Sequence, residues 1–227
     1  MRDKTDFREH HEECCGRSVN IPKYEISGGL TATPHEFPWI VRVLGGCAGG
    51  NCAGSLISPS FVLSSFHCTV APPDVTKPCD HSDGKALAYL GQHNIDMKLL
   101  KSYYSIPIID VKYPKKAGQH VDFGGVEEHD FALLILQRPA RYSDHVRPIC
   151  LPAQGQEFHN KIATAAGWGM FSKGSPQSPE LRKVQLHVDL KKYAYCKMFG
   201  TQVKWNLLGE AEDPCSGDSG CSKSKTP

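Results

Sequence analysis

Apolar and polar residues alternate in two stretches of the chain with the period of two that a half-buried strand imposes. The alternation is plain at Ile106 and Ile108, with Val111 following after an irregular step of three. It is plainer still at Val184, Leu186, Val188 and Leu190, where polar or charged residues fill the positions between. Two shorter apolar runs, Phe61-Val62-Leu63-Ser64-Ser65 and Phe131 to Leu136, read as buried strands. No stretch of convincing length carries helical spacing, and no segment repeats another. Glycine and proline, at 21 and 16 residues, are plentiful enough to punctuate the chain with turns. The pattern predicts an all-β protein.

Length and charge narrow this picture. A chain of 227 residues buries a substantial core, as one large all-β unit or two small ones. The formal net charge of +2 is too small to argue for nucleic acid or an anionic membrane surface, and no apolar run is long enough to span a bilayer. The expected partners are therefore proteins. Ten cysteines are out of keeping with a reducing cytosol and point to disulfides made during secretion.

Three segments carry candidate chemistry. Gly217-Asp218-Ser219-Gly220 sets a serine in a glycine-flanked turn, Ser65-Phe66-His67-Cys68 supplies a histidine, and His129-Asp130-Phe131 an aspartate. A serine hydroxyl is a poor nucleophile until an imidazole takes its proton, and the imidazole works best when a buried carboxylate fixes its tautomer. Each residue also has a bland reading: a core or surface histidine, an acidic loop residue, an ordinary turn rich in Gly, Asp and Ser. Context favours the chemical reading, because the Phe61–Ser65 strand would deliver His67 between Cys52 and Cys68. Asp130, just ahead of the Phe131–Leu136 run, would sit at a strand mouth where low dielectric strengthens its bond to imidazole.

The order His67, Asp130, Ser219 resembles that of the chymotrypsin-like, or trypsin-like, serine proteases, and further segments extend the likeness from about Ile26 to Gly220. Ile26-Ser27-Gly28-Gly29 looks like a mature amino terminus, and Phe37-Pro38-Trp39 precedes a first barrel strand. Cys52-Ala53-Gly54-Ser55-Leu56-Ile57 leads to the histidine, and Val146-Arg147-Pro148-Ile149-Cys150-Leu151-Pro152 resembles the linker between barrels. Ala166-Gly167-Trp168-Gly169 and Asp213-Pro214-Cys215-Ser216-Gly217-Asp218-Ser219-Gly220 then follow in order. The resemblance implies two six-stranded antiparallel β-barrels of chymotrypsin type, a propeptide-like segment over residues 1–25 and a protease domain over 26–227. It implies cleavage after Arg or Lys, with Asp213 at the base of the specificity pocket. The competing reading of Asp213 is a solvated end to the acidic run that starts at Glu210. Backbone amides of Gly217 and Ser219 would form the oxyanion hole, and the Ile26 ammonium would pair with Asp218. Disulfides Cys52–Cys68 and Cys15–Cys150 are implied by the same likeness, with Cys47–Cys79 a weaker inference, and protein substrates and protein inhibitors are the implied partners. Cys14 is left over for a disulfide-linked partner.

No metal or cofactor is expected. His10, His11, Cys14 and Cys15 could supply four zinc ligands, but adjacent ligands in a charged leader have no evident supporting shell. Leu90-Gly91-Gln92-His93-Asn94-Ile95 resembles the start of a calcium loop, yet carries Gln92 where relatives have glutamate, with no carboxylates in Leu99-Leu100-Lys101.

Several departures from the family pattern add expectations. The chain starts without the apolar core of a secretory signal although its chemistry argues for secretion. Glu25 precedes Ile26 where related zymogens have Arg or Lys. The family pattern stops at Gly220, which predicts a second barrel that stays incomplete, with Ile26 to about His145 closing the first and Asn160 to Leu190 forming only part of the second. An open barrel would leave this chain with little peptidase activity. The alternative is a non-catalytic homologue that binds proteins through its loops.

Overall fold

A computed structural model describes residues 15–18, 30–45, 51–70, 83–96, 98, 104–114, 130–169, 176–188 and 205–207. They form β1 (Leu30–Thr31), β2 (Ile40–Leu44), β3 (Asn51–Ser58), β4 (Phe61–Ser64), a single 3-10 turn (Phe66–Thr69), β5 (Leu87–Leu90), β6 (Tyr104–Lys112), β7 (Ala132–Leu136), β8 (Lys161–Gly167), β9 (Arg182–Val188) and β10 (Trp205–Leu207). The all-β expectation holds. None of the described residues forms a helix long and apolar enough to cross a membrane.

Six strands close a barrel in the order β2-β3-β4-β7-β6-β5, with β5 returning to β2. Alternate residues of each strand face inward, and Val41, Leu56, Val62, Ala88, Ile106, Ile108, Ala132 and Leu134 are buried together in one core cluster. The run from Ile106 to Val111 changes parity. The β6–β7 register shifts between Ile108 and Asp110, so that Val111 follows Ile108 into the core while Ile109 is exposed. Gly54 marks a close approach of β3 to β4, because a Cβ there would meet Val62 Cγ1 at 2.7 Å and the Leu63 carbonyl oxygen at 2.9 Å.

β2 is buried on both faces. Val41 and Val43 point into the barrel, whereas Ile40 joins a second cluster with Ala32, Trp168 and Leu181. Arg42, on that outer face, is buried and its guanidinium donates to Asn51 Oδ1 at 2.7 Å and to the Ile95 carbonyl at 3.2 Å.

Among the described residues the second sheet has four strands, with β9 pairing with β1, β8 and β10. One expectation changes here. Leu30–Thr31, assigned by sequence to the first barrel, pairs with Arg182 and Lys183 of β9 in the second sheet. Two residues are too few to show alternation, and the choice of sheet is made by long-range contacts: Ala32 N–H donates to the Leu181 carbonyl, and the buried Glu36 carboxylate meets Lys183 Nζ at 2.6 Å.

Candidate active site

His67 sits in the turn that follows β4, and three contacts hold that turn. Phe66 is fully buried in the barrel core, Thr69 Oγ1 donates to the Phe66 carbonyl at 2.7 Å, and Cys68 is disulfide-bonded to Cys52 on β3. The backbone on either side of His67 is thus pinned while its own side chain remains 36% exposed.

Asp130 reaches the same place from the start of β7, whose residues pair with β4 from Phe61↔Ile135 to Ser64↔Ala132. That register brings the end of β4 and the start of β7 to one rim of the barrel. There Asp130 Oδ2 lies 2.7 Å from His67 Nδ1, and Asp130 Oδ1 accepts the His67 backbone N–H at 2.9 Å. The carboxylate holds ring and backbone of one residue at once, which fixes imidazole orientation and the Nδ1–H tautomer. Burial alone would raise the Asp130 pKa, but the hydrogen bonds from the His67 ring and from the His67 and Phe66 backbone outweigh it and hold the carboxyl below its ordinary range. Nε2 is the ring nitrogen that does not face Asp130. This half of the arrangement can act as a general base with a fixed orienter.

Ser219, Gly217, Asp218, Asp213 and Ile26 lie outside the described residues, as do Cys14, Cys47 and Cys79. The Cys52–Cys68 and Cys15–Cys150 bonds are both present, the latter beside a Gly16 N–H to Pro148 carbonyl bond of 2.8 Å. Cys15 is thereby removed from the leader's zinc set. Cys52, His67 and Cys68 bring potential ligand atoms within 4.8 Å of one another, but the two sulfurs are joined to each other and have no thiolate to offer.

Two features of the site's surroundings escaped sequence reading. The buried Arg42 positions Asn51, whose amide donates to Gln177 Oε1 at 2.8 Å, tying the barrel to the loop before β9. Tyr113 packs on Phe66 with ring centroids 5.0 Å apart, bracing the turn beneath His67. No local signal marks the Asn51–Gln177 or the Phe66–Tyr113 contact, since each joins residues far apart in the chain.

The trypsin family profile matches residues 26–222. The suppressor of tumorigenicity 14 protein homolog of Bos taurus is 30% identical over 213 residues, covering 91% of this chain and 24% of that protein. Cathepsin G of Mus musculus is 30% identical over 169 residues, 73% of this chain and 57% of its own length. The chain therefore spans about a quarter of the first relative and over half of the second. Among solved structures, human heparin binding protein superposes with a TM-score of 0.65 at 24% identity, over 86% of this chain and 78% of that one. At that identity the likeness establishes the chymotrypsin fold.

Proposed function

Because this chain belongs to the trypsin family, we propose that it is a serine endopeptidase cutting after Arg or Lys, with Ser219 as nucleophile, His67 as base and Asp130 as orienter. The observation that carries this reading is the doubly bonded Asp130, which holds His67 by ring and backbone. His67 Nε2 takes the Ser219 Oγ proton as Oγ bonds to the scissile carbonyl carbon. The negative charge moves to the carbonyl oxygen, where the amides of Gly217 and Ser219 receive it, each such donor being worth about 2.7–4 kcal/mol in the transition state. The imidazolium formed beside Asp130 is stabilised by the carboxylate and gives its proton to the leaving amine. Water then repeats the sequence on the acyl-enzyme, with the proton passing through the same nitrogen and returning to Ser219.

Asp213 selects the basic side chain, since an unpaired charge in a dry pocket is costly for enzyme and substrate alike. Residues 1–25 act as a propeptide that stays tethered by Cys15–Cys150 after the chain is cut before Ile26. The new Ile26 ammonium pairs with Asp218. Glu25 makes the activator an enzyme other than one selecting Arg or Lys. The disulfides fit a secreted protein acting on extracellular protein substrates.

The test is hydrolysis of matched esters ending in Arg, Lys, Phe and Glu by chain cleaved before Ile26, beside Ser219→Ala and Asp213→Asn variants. Turnover of the Arg and Lys esters alone, abolished in the first variant and relaxed toward the others in the second, supports the reading. Absence of any Ser219-dependent turnover favours the low activity expected of an open second barrel and the protein-binding alternative.

A further inference from the structure

Three histidines outside the catalytic arrangement meet where the barrel joins the second sheet. His35 lies in the arm between β1 and β2, His93 in the loop after β5, and His145 in the connection from β7 to β8. The rings of His35 and His145 are stacked with centroids 3.6 Å apart and 12° between their planes. The stack is held by costly local structure. His35 has φ of 62°, a conformation few non-glycine residues adopt. Gly91, also at positive φ, approaches so closely that a Cβ would meet the His145 carbonyl oxygen at 3.1 Å. Beneath it, Nδ1 of His35 and Nδ1 of His93 are buried with no hydrogen-bond partner, as are both polar atoms of the Gln92 amide.

Unpartnered imidazole nitrogens invite either a metal or a proton. A metal is disfavoured by the stacking, because imidazole lone pairs lie in the ring plane and two parallel rings cannot both aim at one ion. The ligand atoms of the three histidines also do not gather within 4.8 Å of one another, as a preformed site requires. A proton is the ligand to consider. Added to His35 Nδ1, it makes a buried N–H donor with no acceptor and sets a positive charge against two other imidazoles. The acidic groups nearby are already engaged. On the arm, Glu36 is bound by Lys183 of β9 at 2.6 Å, and on the connection Asp144 is bound by Arg147 at 2.6 Å. The loop after β5 contributes the neutral Gln92 beside His93. Burial, then His145 and His93, depress the His35 pKa, opposed by a backbone hydrogen bond to Gly91.

We infer that the His35–His145 stack, backed by His93, is an acid-sensitive latch that fixes the arm to the barrel–sheet connection at neutral pH and frees it on protonation. The backbone bond it protects runs from Arg147 N–H to the Pro38 carbonyl at 3.1 Å. The sign follows from linkage. A histidine whose pKa is lowered in the folded state takes up protons more readily when released, so the latch is intact above the ordinary histidine value of about 6.5 and weakens as pH falls below it.

The experiment is amide exchange on the full chain at about pH 7.5 and about pH 5, corrected for the intrinsic rate, with His35→Gln, His145→Gln and the double variant. The Arg147 amide should lose protection relative to Val62 in the barrel, by about tenfold for each unit separating the folded and ordinary His35 pKa values. The double-mutant coupling between the two histidines should turn repulsive at the lower pH. Equal loss at Arg147 and Val62, or the same Arg147 loss in the double variant, would overturn the latch. Should the variants not fold, the imidazole resonances of the unmodified chain decide the matter. A His35 titration below the ordinary range and linked to His145 supports the latch, and one at or above that range sinks it.

Discussion

The closed barrel and the second sheet are built from similar strands but hold their residues in different ways. In the barrel every strand has two neighbours, and inward positions such as Leu56, Val62, Ile106 and Leu134 are at most 1% exposed. In the second sheet β8 pairs only with β9 among the described residues, and Ile162 on β8 is 59% exposed. Closure removes sheet edges and fixes register from both sides. That is why the rim of the barrel can hold His67 and Asp130, the proposed base and orienter, at 2.7 Å although they lie 63 positions apart. The lesson is a division of labour: the barrel holds the proposed proton acceptor, and the nucleophile proposed to use it belongs to the other half of the chain.

The largest expected effect crosses that division. Removing either side of the proton transfer, by His67→Ala in the barrel or by Ser219→Ala beyond it, should each lower kcat on an arginine ester by about 10⁶-fold. The double variant should lose no more than either single one, because the two residues act as a unit. A merely additive loss would break the comparison.

Stability changes should separate the two halves next. Leu134→Ala in the barrel core should cost about 2–5 kcal/mol in a denaturant titration, whereas Ile162→Ala on β8 should stay within about 0.5 kcal/mol. Similar costs at both sites would show that the second sheet is packed as tightly as the barrel. Replacing Cys52 and Cys68 together with alanine should cost about 3 kcal/mol, as expected for a short loop closed in the unfolded chain, and should lower activity by releasing the turn that carries His67.

The smallest effect sharpens the comparison through pH. Asp130 has its carboxyl pKa depressed in the fold, so its stabilisation is present above the ordinary carboxylate value of about 3.9 and is lost as pH falls through the folded value. The His35 latch weakens earlier, from about pH 6.5 downward. Acid unfolding followed by amide exchange should therefore loosen the arm before the barrel rim. Asp130→Asn should remove the loosening that sets in below about pH 3.9 and leave the one that starts near about pH 6.5 unchanged.

Much of the barrel was legible because its signals are local. The apolar run before His67 and the one after Asp130 each read as a strand, and those two strands proved to be neighbours, β4 and β7, which brings the two residues together. Family motifs then paired Cys52 with Cys68 and Cys15 with Cys150, as found. The misplacement of Leu30–Thr31 had a physical cause, since a two-residue strand carries no period and its sheet is chosen by β9 and the Glu36–Lys183 pair. The same limit hid Arg42, a charged residue inside an apolar strand, whose buried guanidinium donates to Asn51 and to the Ile95 carbonyl. The bulge at Ile108–Asp110 showed in sequence only as an irregular spacing to Val111.

The central claim is that Asp130 holds His67 as the base for Ser219, and stoichiometric labelling with an arginine-mimicking phosphonate tests it most directly. Chain cleaved before Ile26 would be labelled across a pH series and digested to locate the adduct, beside an Asp130→Asn variant. The account predicts one phosphonyl group on Ser219, a rate that rises with pH as His67 loses its proton, and a rate about 10⁴-fold lower in the variant, the loss general to Ser-His-Asp triads with a misdirected tautomer. An adduct on another residue, or a rate indifferent to Asp130→Asn, would contradict it.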